Sequence, residues 1–375
     1  MSWEFDLGLI KEKGVILIVS LWIVAILSLF AVTIGRQASI SIKLTSYDVD
    51  KRKAYFMARA GLTRALSEKS IEYKTGMSSD IDAFSQSWAN NKDLFSRRAF
   101  GGGYYTIGYE YPTPEKSEET PQMLYGLMDE QSKININTAS EDTLENLLIS
   151  FDVDEDDALS IAGSIIDWRD QDNETASSEK GLLYGAEDAY YQGLAPSYGC
   201  KNAVFDNIYE LLLVKGVNAD TLNKIKPYIT VYGNGKVNIN TASEPVLGAL
   251  IGPDLPGLAA KIARYRQGED NIIGTEDDAW FSFSAAVIDR GEKGLVEIKN
   301  LQDPQWYANI YSITTDDYNR MRELVSESSP RICVVSDTYR AIVLSEANRV
   351  KIRLEAVYDF SDRKNPPEVK FWYQE

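Results

Sequence analysis

The side chains in this chain best placed to do chemistry are carboxylates. Asp167, Asp170, Asp172 and Glu174 lie in D-W-R-D-Q-D-N-E at 167–174, and Glu187 and Asp188 follow in G-A-E-D-A-Y-Y at 185–191, on loops closed by Gly181 and Gly185. A second group, Asp270, Glu276, Asp277 and Asp278, surrounds the Gly274 turn in G-E-D-N-I-I-G-T-E-D-D-A at 268–279. Hard oxygen donors in such numbers suit Ca²⁺, which takes about six to eight oxygens, some of them backbone carbonyls. Without a cation, carboxylates this close repel, so the ion would order the loops and would not be catalytic. Neither loop has the D-x-[DN]-x-[DN]-G-x₅-E spacing of an EF-hand. Solvated acidic loops are the alternative reading in a chain with 56 acidic residues and a net charge of −17.

Other chemistries are excluded by what is missing. The 375 residues contain no histidine, which removes Ser-His-Asp and Cys-His nucleophiles and His-ligated zinc. There is no G-x-x-x-x-G-K-[ST] and no G-x-G-x-x-G, and the glycines at 101–103 precede an alternating segment and read as a turn. The two cysteines, Cys200 and Cys333, lie far apart without a C-x-x-C, so a disulfide and two free thiols both remain open. The acidic balance disfavours binding to nucleic acid or anionic lipid.

The elements that must position these acids come as an internal repeat. K-I-N-I-N-T-A-S-E-D-T-L-E-N-L-L at 133–148 recurs as K-V-N-I-N-T-A-S-E-P-V-L-G-A-L at 236–250, and an apolar helical segment follows each copy, at 160–172 and 259–270. Thr138 and Thr241 offer helix N-caps, with Glu141 and Glu244 completing a capping box. Around this helical block the pattern is of strands: 104–111 and 123–130 before it, then 331–335, 339–345, 350–358 and 369–373. In 350–358 the apolar residues alternate with Lys351, Arg353 and Glu355, as in a half-buried antiparallel strand. The fold class is therefore α+β, an antiparallel sheet interrupted by a large helical insertion.

Ahead of the sheet, Val15–Ile34 holds twenty residues without a charge, enough for a membrane span. Apolar residues from Ile40 to Ala65 continue at helical spacing, so one transmembrane and stem helix is expected over 15–70. The junction K-E-K-G at 11–14, set directly against this run, resembles the prepilin peptidase site of type IV pilins and type II secretion pseudopilins. The resemblance implies cleavage between Gly14 and Val15 and a methylated new amino terminus. Most such subunits carry glutamate at the fifth mature position, and this chain has Val19. The absent glutamate, the N-I-N-T-A-S repeats and the D-W-x-D-x-D … G-A-E-D-x-Y-Y pattern are together similar to the large minor pseudopilin K family of type II secretion systems.

That resemblance implies a non-enzymatic subunit at the tip of a periplasmic pseudopilus. It would assemble with the minor pseudopilins I and J and initiate pseudopilus assembly for export of folded proteins. It would be processed by prepilin peptidase, cross the bacterial inner membrane once, place its C-terminal domain in the periplasm, and hold calcium in a SAM-like or helix-hairpin-helix-like insertion. The implied divisions are a leader at 1–14, the stem at 15–70, a first sheet part at 71–133, the insertion at 134–305 and completing strands at 306–375. The rival reading is a membrane-anchored DNA receptor for competence, because N-I-N-T-A-S units resemble helix-hairpin-helix modules. Against it, the first copy has F-D-V-D-E-D-D-A at 151–158, five acids in eight residues where a DNA-binding hairpin would lie.

Overall fold

The computed structural model describes residues 8–75, 81–112, 122–177, 181–255, 257–282, 286–289, 295–300, 314–324 and 331–375. One helix, α1, runs from Gly8 to Thr75, about 100 Å at 1.5 Å per residue. It is longer at both ends than the apolar pattern indicates, because hydropathy marks which environment a helix faces and not where its hydrogen bonds stop. Its most apolar stretch is wholly unburied. Among the described residues this is the one helix long and apolar enough to cross a membrane. From Ala54 onward a stripe turns inward, with Ala54, Ala58, Leu62 and Ala65 buried at helical spacing. The small alanines bring helix and sheet close enough for the Ser345 hydroxyl to donate to Ala54 O at 2.7 Å. At Gly61 a Cβ would lie 2.8 Å from the Tyr105 ring, so the crossing needs glycine there.

After α1 come α2 (Lys92–Phe95), β1 (Arg98–Phe100), β2 (Gly103–Ile107), β3 (Tyr109–Glu110), β4 (Met123–Leu124) and β5 (Met128–Asp129). The helical block then carries β6 (Ile134–Asn135), α3 (Glu141–Ser150), α4 (Glu155–Arg169), α5 (Asp188–Gln192), α6 (Ala219–Ile225), β7 (Ile229–Thr230), β8 (Val237–Asn238), α7 (Glu244–Ile251) and α8 (Leu258–Arg266). Three short strands follow, β9 (Phe281–Ser282), β10 (Ala286–Asp289) and β11 (Leu295–Asn300), then α9 (Thr315–Leu324). The chain ends on β12 (Ile332–Cys333), β13 (Thr338–Ala347), β14 (Val350–Asp359) and β15 (Glu368–Gln374).

The main sheet has the order β1-β2-β13-β14-β15, with β5 also pairing β13, so its halves come from either side of the helical block. All its pairs are antiparallel. β13 and β14 form a hairpin in register from Thr338↔Asp359 to Ala347↔Val350, turning at Asn348, whose φ of 52° suits asparagine. In β14, Val350, Ile352 and Leu354 are buried while Lys351 and Arg353 are exposed. That alternation puts one face against α1 in a core with Met57, Ile107 and Val343. The fold is α+β.

The helical block builds a second core, in which Leu147, Ile161, Ile165 and Trp168 of the first repeat meet Val246, Leu247 and Ile262 of the second. Each N-I-N segment starts as a short parallel pair, β6 on β7 and β8 on β12. The helix caps differ from the sequence expectation. Thr138 and Thr241 do not cap: α3 begins after Ser140 and α7 after Ser243. The Thr138 hydroxyl instead donates to Asn135 O, and that of Thr241 to Asp129 Oδ2 at 2.6 Å. The T-A-S turn uses two more residues before the helix than a capping box allows.

Candidate metal centre in the first repeat

In both repeats the second asparagine of N-I-N acts as a substitute strand. Asn137 Nδ2 donates to Phe205 O at 3.0 Å while its Oδ1 accepts from Phe205 N at 2.7 Å. Asn240 makes the same pair with Phe281, at 3.0 and 2.7 Å. Only a carboxamide offers donor and acceptor side by side in this way. An arginine at the end of the second helix after the turn, α4 or α8, then reaches back to it. Arg169 donates to the carbonyls of Ile136 and Ala139, and Arg266 to Ile239 O at 2.7 Å and Ala242 O at 2.6 Å. Neither the asparagine pair nor the arginine clamp was inferred from the sequence. The visible signal was the recurrence of the asparagine at the same place in both N-I-N-T-A-S copies and of an arginine toward the end of the apolar helical segment that follows each.

In the first copy the Arg169 clamp fixes the C-terminal end of α4, and the acids follow at once. Asp170, Asp172 and Glu187 each place a carboxylate oxygen within 4.8 Å of the others. Glu187 is 4 % exposed. Both of its oxygens and Asp170 Oδ1 are buried without a nitrogen or oxygen side-chain donor, and the weakly donating Cys200 thiol is the side chain that leans toward Glu187. Burial, then the neighbouring Asp167 and Asp170 carboxylates, pushes Glu187 up to about 7, and Asp170 is raised chiefly by burial. A buried carboxylate with no donor is costly unless it gives up its charge or meets a cation. The nearby cations are engaged elsewhere: Lys201 with Asp206 and Glu210, Lys215 with the carbonyls of Tyr184 and Gly185.

The other acids of this cluster do different work. Asp167 accepts from Ala176 N at 3.1 and 3.2 Å and is pushed up to about 6, mainly by burial. Asp188 Oδ1 accepts from Cys200 N at 2.7 Å. Glu174 is exposed, and it is its backbone N–H that reaches Asp172 Oδ1, at 2.8 Å. Beside the three convergent carboxylates stands Asn202, which the sequence reading missed. Its Oδ1 is also buried and unpartnered.

The second loop is built differently, and its four acids are not gathered as the first three are among the described residues. Asp277 Oδ2 accepts from Glu269 N at 2.7 Å and Asp270 N at 3.2 Å, and its Oδ1 from the Thr275 hydroxyl at 2.7 Å. The Thr275 hydroxyl bond leads in holding Asp277 down at about 2. Asp278 accepts from Gly274 N at 2.8 Å and Thr275 N at 3.3 Å, and burial pushes it up to about 6. Asp270 Oδ1 takes Ile272 N at 2.8 Å, and Glu276 is exposed.

The lysine-bearing turn between α5 and β7 is a packing unit. It comprises a 3₁₀ turn at Ile208–Leu213, Gly216 at φ 82° and α6. A Cβ on Gly216 would lie 2.7 Å from the Ile161 side chain, so this turn is pressed onto α4. Lys215 and Lys224 donate to carbonyls of the same chain. The acids at 151–158 start a helix: Asp154 caps α4 at Asp156 N, and Glu155, Asp156 and Asp157 fill its first turn, where the helix dipole favours negative charge. Cys200 and Cys333 are free thiols. Gly14, Val15, Val19 and Ile34 all lie within α1, with Val15, Val19 and Ile34 exposed.

Comparison with known proteins agrees with this architecture. Residues 124–234 match the family model described as type II secretion system (T2SS), protein K, and residues 13–63 match that of the PilX N-terminal region. The type II secretion system protein K of Aeromonas hydrophila is 29 % identical over 56 % of this chain, and the match spans 53 %, about half, of that relative's length. That of Pseudomonas aeruginosa is 26 % identical over 68 % of this chain and 74 % of its own. The fold is similar to a chain in the crystal structure of the GspK-GspI-GspJ complex from the enterotoxigenic Escherichia coli type 2 secretion system. There the TM-score is 0.58 at 17 % identity, covering 88 % of this chain and 99 % of that one.

Proposed function

The chain belongs to the type II secretion system protein K family, and from that premise we propose that it is a structural tip subunit of a periplasmic pseudopilus, built with the minor pseudopilins I and J. The observation that carries the proposal is α1: an exposed apolar half followed by a half that packs on the sheet. Such a helix holds the folded domain at a fixed distance from the bilayer while leaving its apolar half for lipid or neighbouring stems. The missing glutamate at Val19 supports a terminal place. Inside an apolar filament core a subunit's ammonium needs a carboxylate partner, and a subunit that cannot supply one to its neighbour suits the end of the fibre.

In this reading Gly14 and Val15 flank the prepilin peptidase cut and Val15–Ile34 anchors the chain in the bacterial inner membrane, with the rest periplasmic. We place the sheet domain in β1, β2, β5 and β13 to β15, around an insertion that takes in β6 to β12. The acidic pocket holds a structural Ca²⁺ through Asp170, Asp172 and Glu187, with Asp167 and Asp188 ordering the loops around it. The orphaned buried oxygens support this assignment, because a hard cation satisfies them at once. The ion contributes order to the loops and takes no part in any reaction. Co-expression with the I and J subunits of the same system tests the assembly: a ternary complex is expected, and a chain that purifies alone overturns the reading. A Gly14 substitution should leave the leader attached; unchanged mass and assembly would exclude the processing step.

A further inference from the structure

We infer that Asn202 is a neutral oxygen ligand of the cation held by Asp170, Asp172 and Glu187, tying the loop after α4 to a segment that follows α5. The inference rests on the calcium reading of that pocket and adds a residue from a different stretch of chain. Asn202 Nδ2 donates to Asp172 O at 3.0 Å and to Asn173 Oδ1 at 3.2 Å. With its two N–H groups directed at these oxygens, the orientation of the carboxamide is set, and its oxygen must face the other way. That oxygen is buried and receives no donor.

The distribution of such oxygens is what points to a ligand. Among the described residues, the buried side-chain oxygens without a donor are Asp170 Oδ1, both oxygens of Glu187, Asn202 Oδ1 and, far away in the second repeat, Ser243 Oγ. The first three sit on the converging carboxylates, and the Asn202 oxygen is on a side chain bonded to Asp172 and Asn173 of the same loop, where the nearby cationic side chains are engaged elsewhere. A carboxamide oxygen is an ordinary calcium ligand. It also adds coordination without adding to the repulsion among three carboxylates, which already exceed the charge of a divalent ion. The backbone supports the placement, since Asn202 holds φ at 47°, a conformation asparagine tolerates better than most residues.

The test uses the full-length chain in detergent micelles with N202G and N202D. Glycine removes the side chain while accepting the positive φ, which alanine would not. Calcium affinity is measured by titration calorimetry, and coordinated water by terbium luminescence lifetimes in H₂O and D₂O. N202G is expected to bind calcium about tenfold or more weakly and to gain about one coordinated water, with metal-free melting lowered only as far as in N202D, which loses the same two Nδ2 bonds. N202D, which keeps an oxygen but loses both donors, should stay within about threefold of the parent chain and gain no water. If N202G matches the parent in affinity and hydration, the Asn202 assignment is overturned while the calcium reading stands. If N202D is as weak as N202G and neither gains water, the residue acts only through its bonds to Asp172 and Asn173, and the ligand role is again excluded. A parent chain that binds no calcium overturns both.

Discussion

The two N-I-N-T-A-S repeats share a frame and diverge in what they do with their acids. Both begin on a short parallel strand, both use a second asparagine as a strand substitute, and both are tied by an arginine from the end of their second helix. After that helix the first copy leaves carboxylate oxygens without donors. The second copy closes its loop on its own amides, with Asp277 and Asp278 each accepting two backbone N–H bonds. Among the described residues, then, it is the first copy that gathers carboxylates able to hold a metal ion, although both loops are comparably acidic. Acid count does not identify a metal site; the balance of donors and acceptors does.

The largest expected effect breaks the shared frame. Arg266 is buried and Arg169 only half-buried, and each satisfies two turn carbonyls. R266A should cost about 4 kcal/mol and R169A about 2–3 kcal/mol, by loss of charge-assisted bonds and by leaving buried carbonyls unpaired. Denaturant melts of both variants check the order. Equal, small losses would mean that the clamps do not hold the repeats.

The next effect separates the copies. Calcium at about a hundred times its dissociation constant should stabilise the chain by about 2.7 kcal/mol, and excess chelator should remove the gain. The double variant D170N/E187Q should lose this response and, without metal, melt no lower than the metal-free parent, since the clustered negative charge is gone. D277N should keep the calcium response. If D277N abolished it and D170N/E187Q did not, the assignment of the metal to the first copy would be reversed.

How far this division could be read from sequence depends on the range of the interactions. The span and stem of α1 and the alternation of β14 were legible because burial imprints a period on neighbouring residues. The fold class followed from the order of those patterns. The strand substitutes were not legible: Asn137 meets Phe205 across 68 positions and Asn240 meets Phe281 across 41, and local propensity reads asparagine as turn or cap. The pocket was half legible. Six acids were visible in the first cluster, but which three converge depends on Asp167 and Asp188 being taken by backbone amides of Ala176 and Cys200. Asn202 bonds Asp172 from 30 positions away, with no acidic character to mark it.

A smaller effect is a pH dependence written into the second copy. Asp278, 6 % exposed, is pushed by burial up to about 6 from an ordinary 3.8. The folded chain thus keeps a proton that the unfolded chain releases. Stability from this group is fully present below about pH 4 and is lost as the pH rises through 6, by about 3 kcal/mol. D278N, which cannot ionise, should flatten that part of the Tm profile between pH 4 and 7 in the presence of chelator. An unchanged slope would show that the bonds from Gly274 and Thr275 already offset the burial.

The smallest effect compares the two N-cap serines. Ser140 Oγ shares a hydrogen bond with Thr143 Oγ1 at 2.9 Å, whereas Ser243 Oγ is buried without a partner, and neither serine makes a side-chain cap bond to its helix. S140A should therefore cost about 0.5–1 kcal/mol, the worth of one ordinary hydrogen bond. S243A removes a hydroxyl that is already desolvated and unsatisfied, so it should be neutral or stabilise by up to about 1 kcal/mol. Opposite signs at equivalent positions would show that the copies, though alike in sequence at this turn, settle their polar atoms separately. If S243A proved the more destabilising of the two, its hydroxyl would have to be satisfied in solution, by water or by a shifted turn, and the second copy would be less self-contained than its loop bonding indicates.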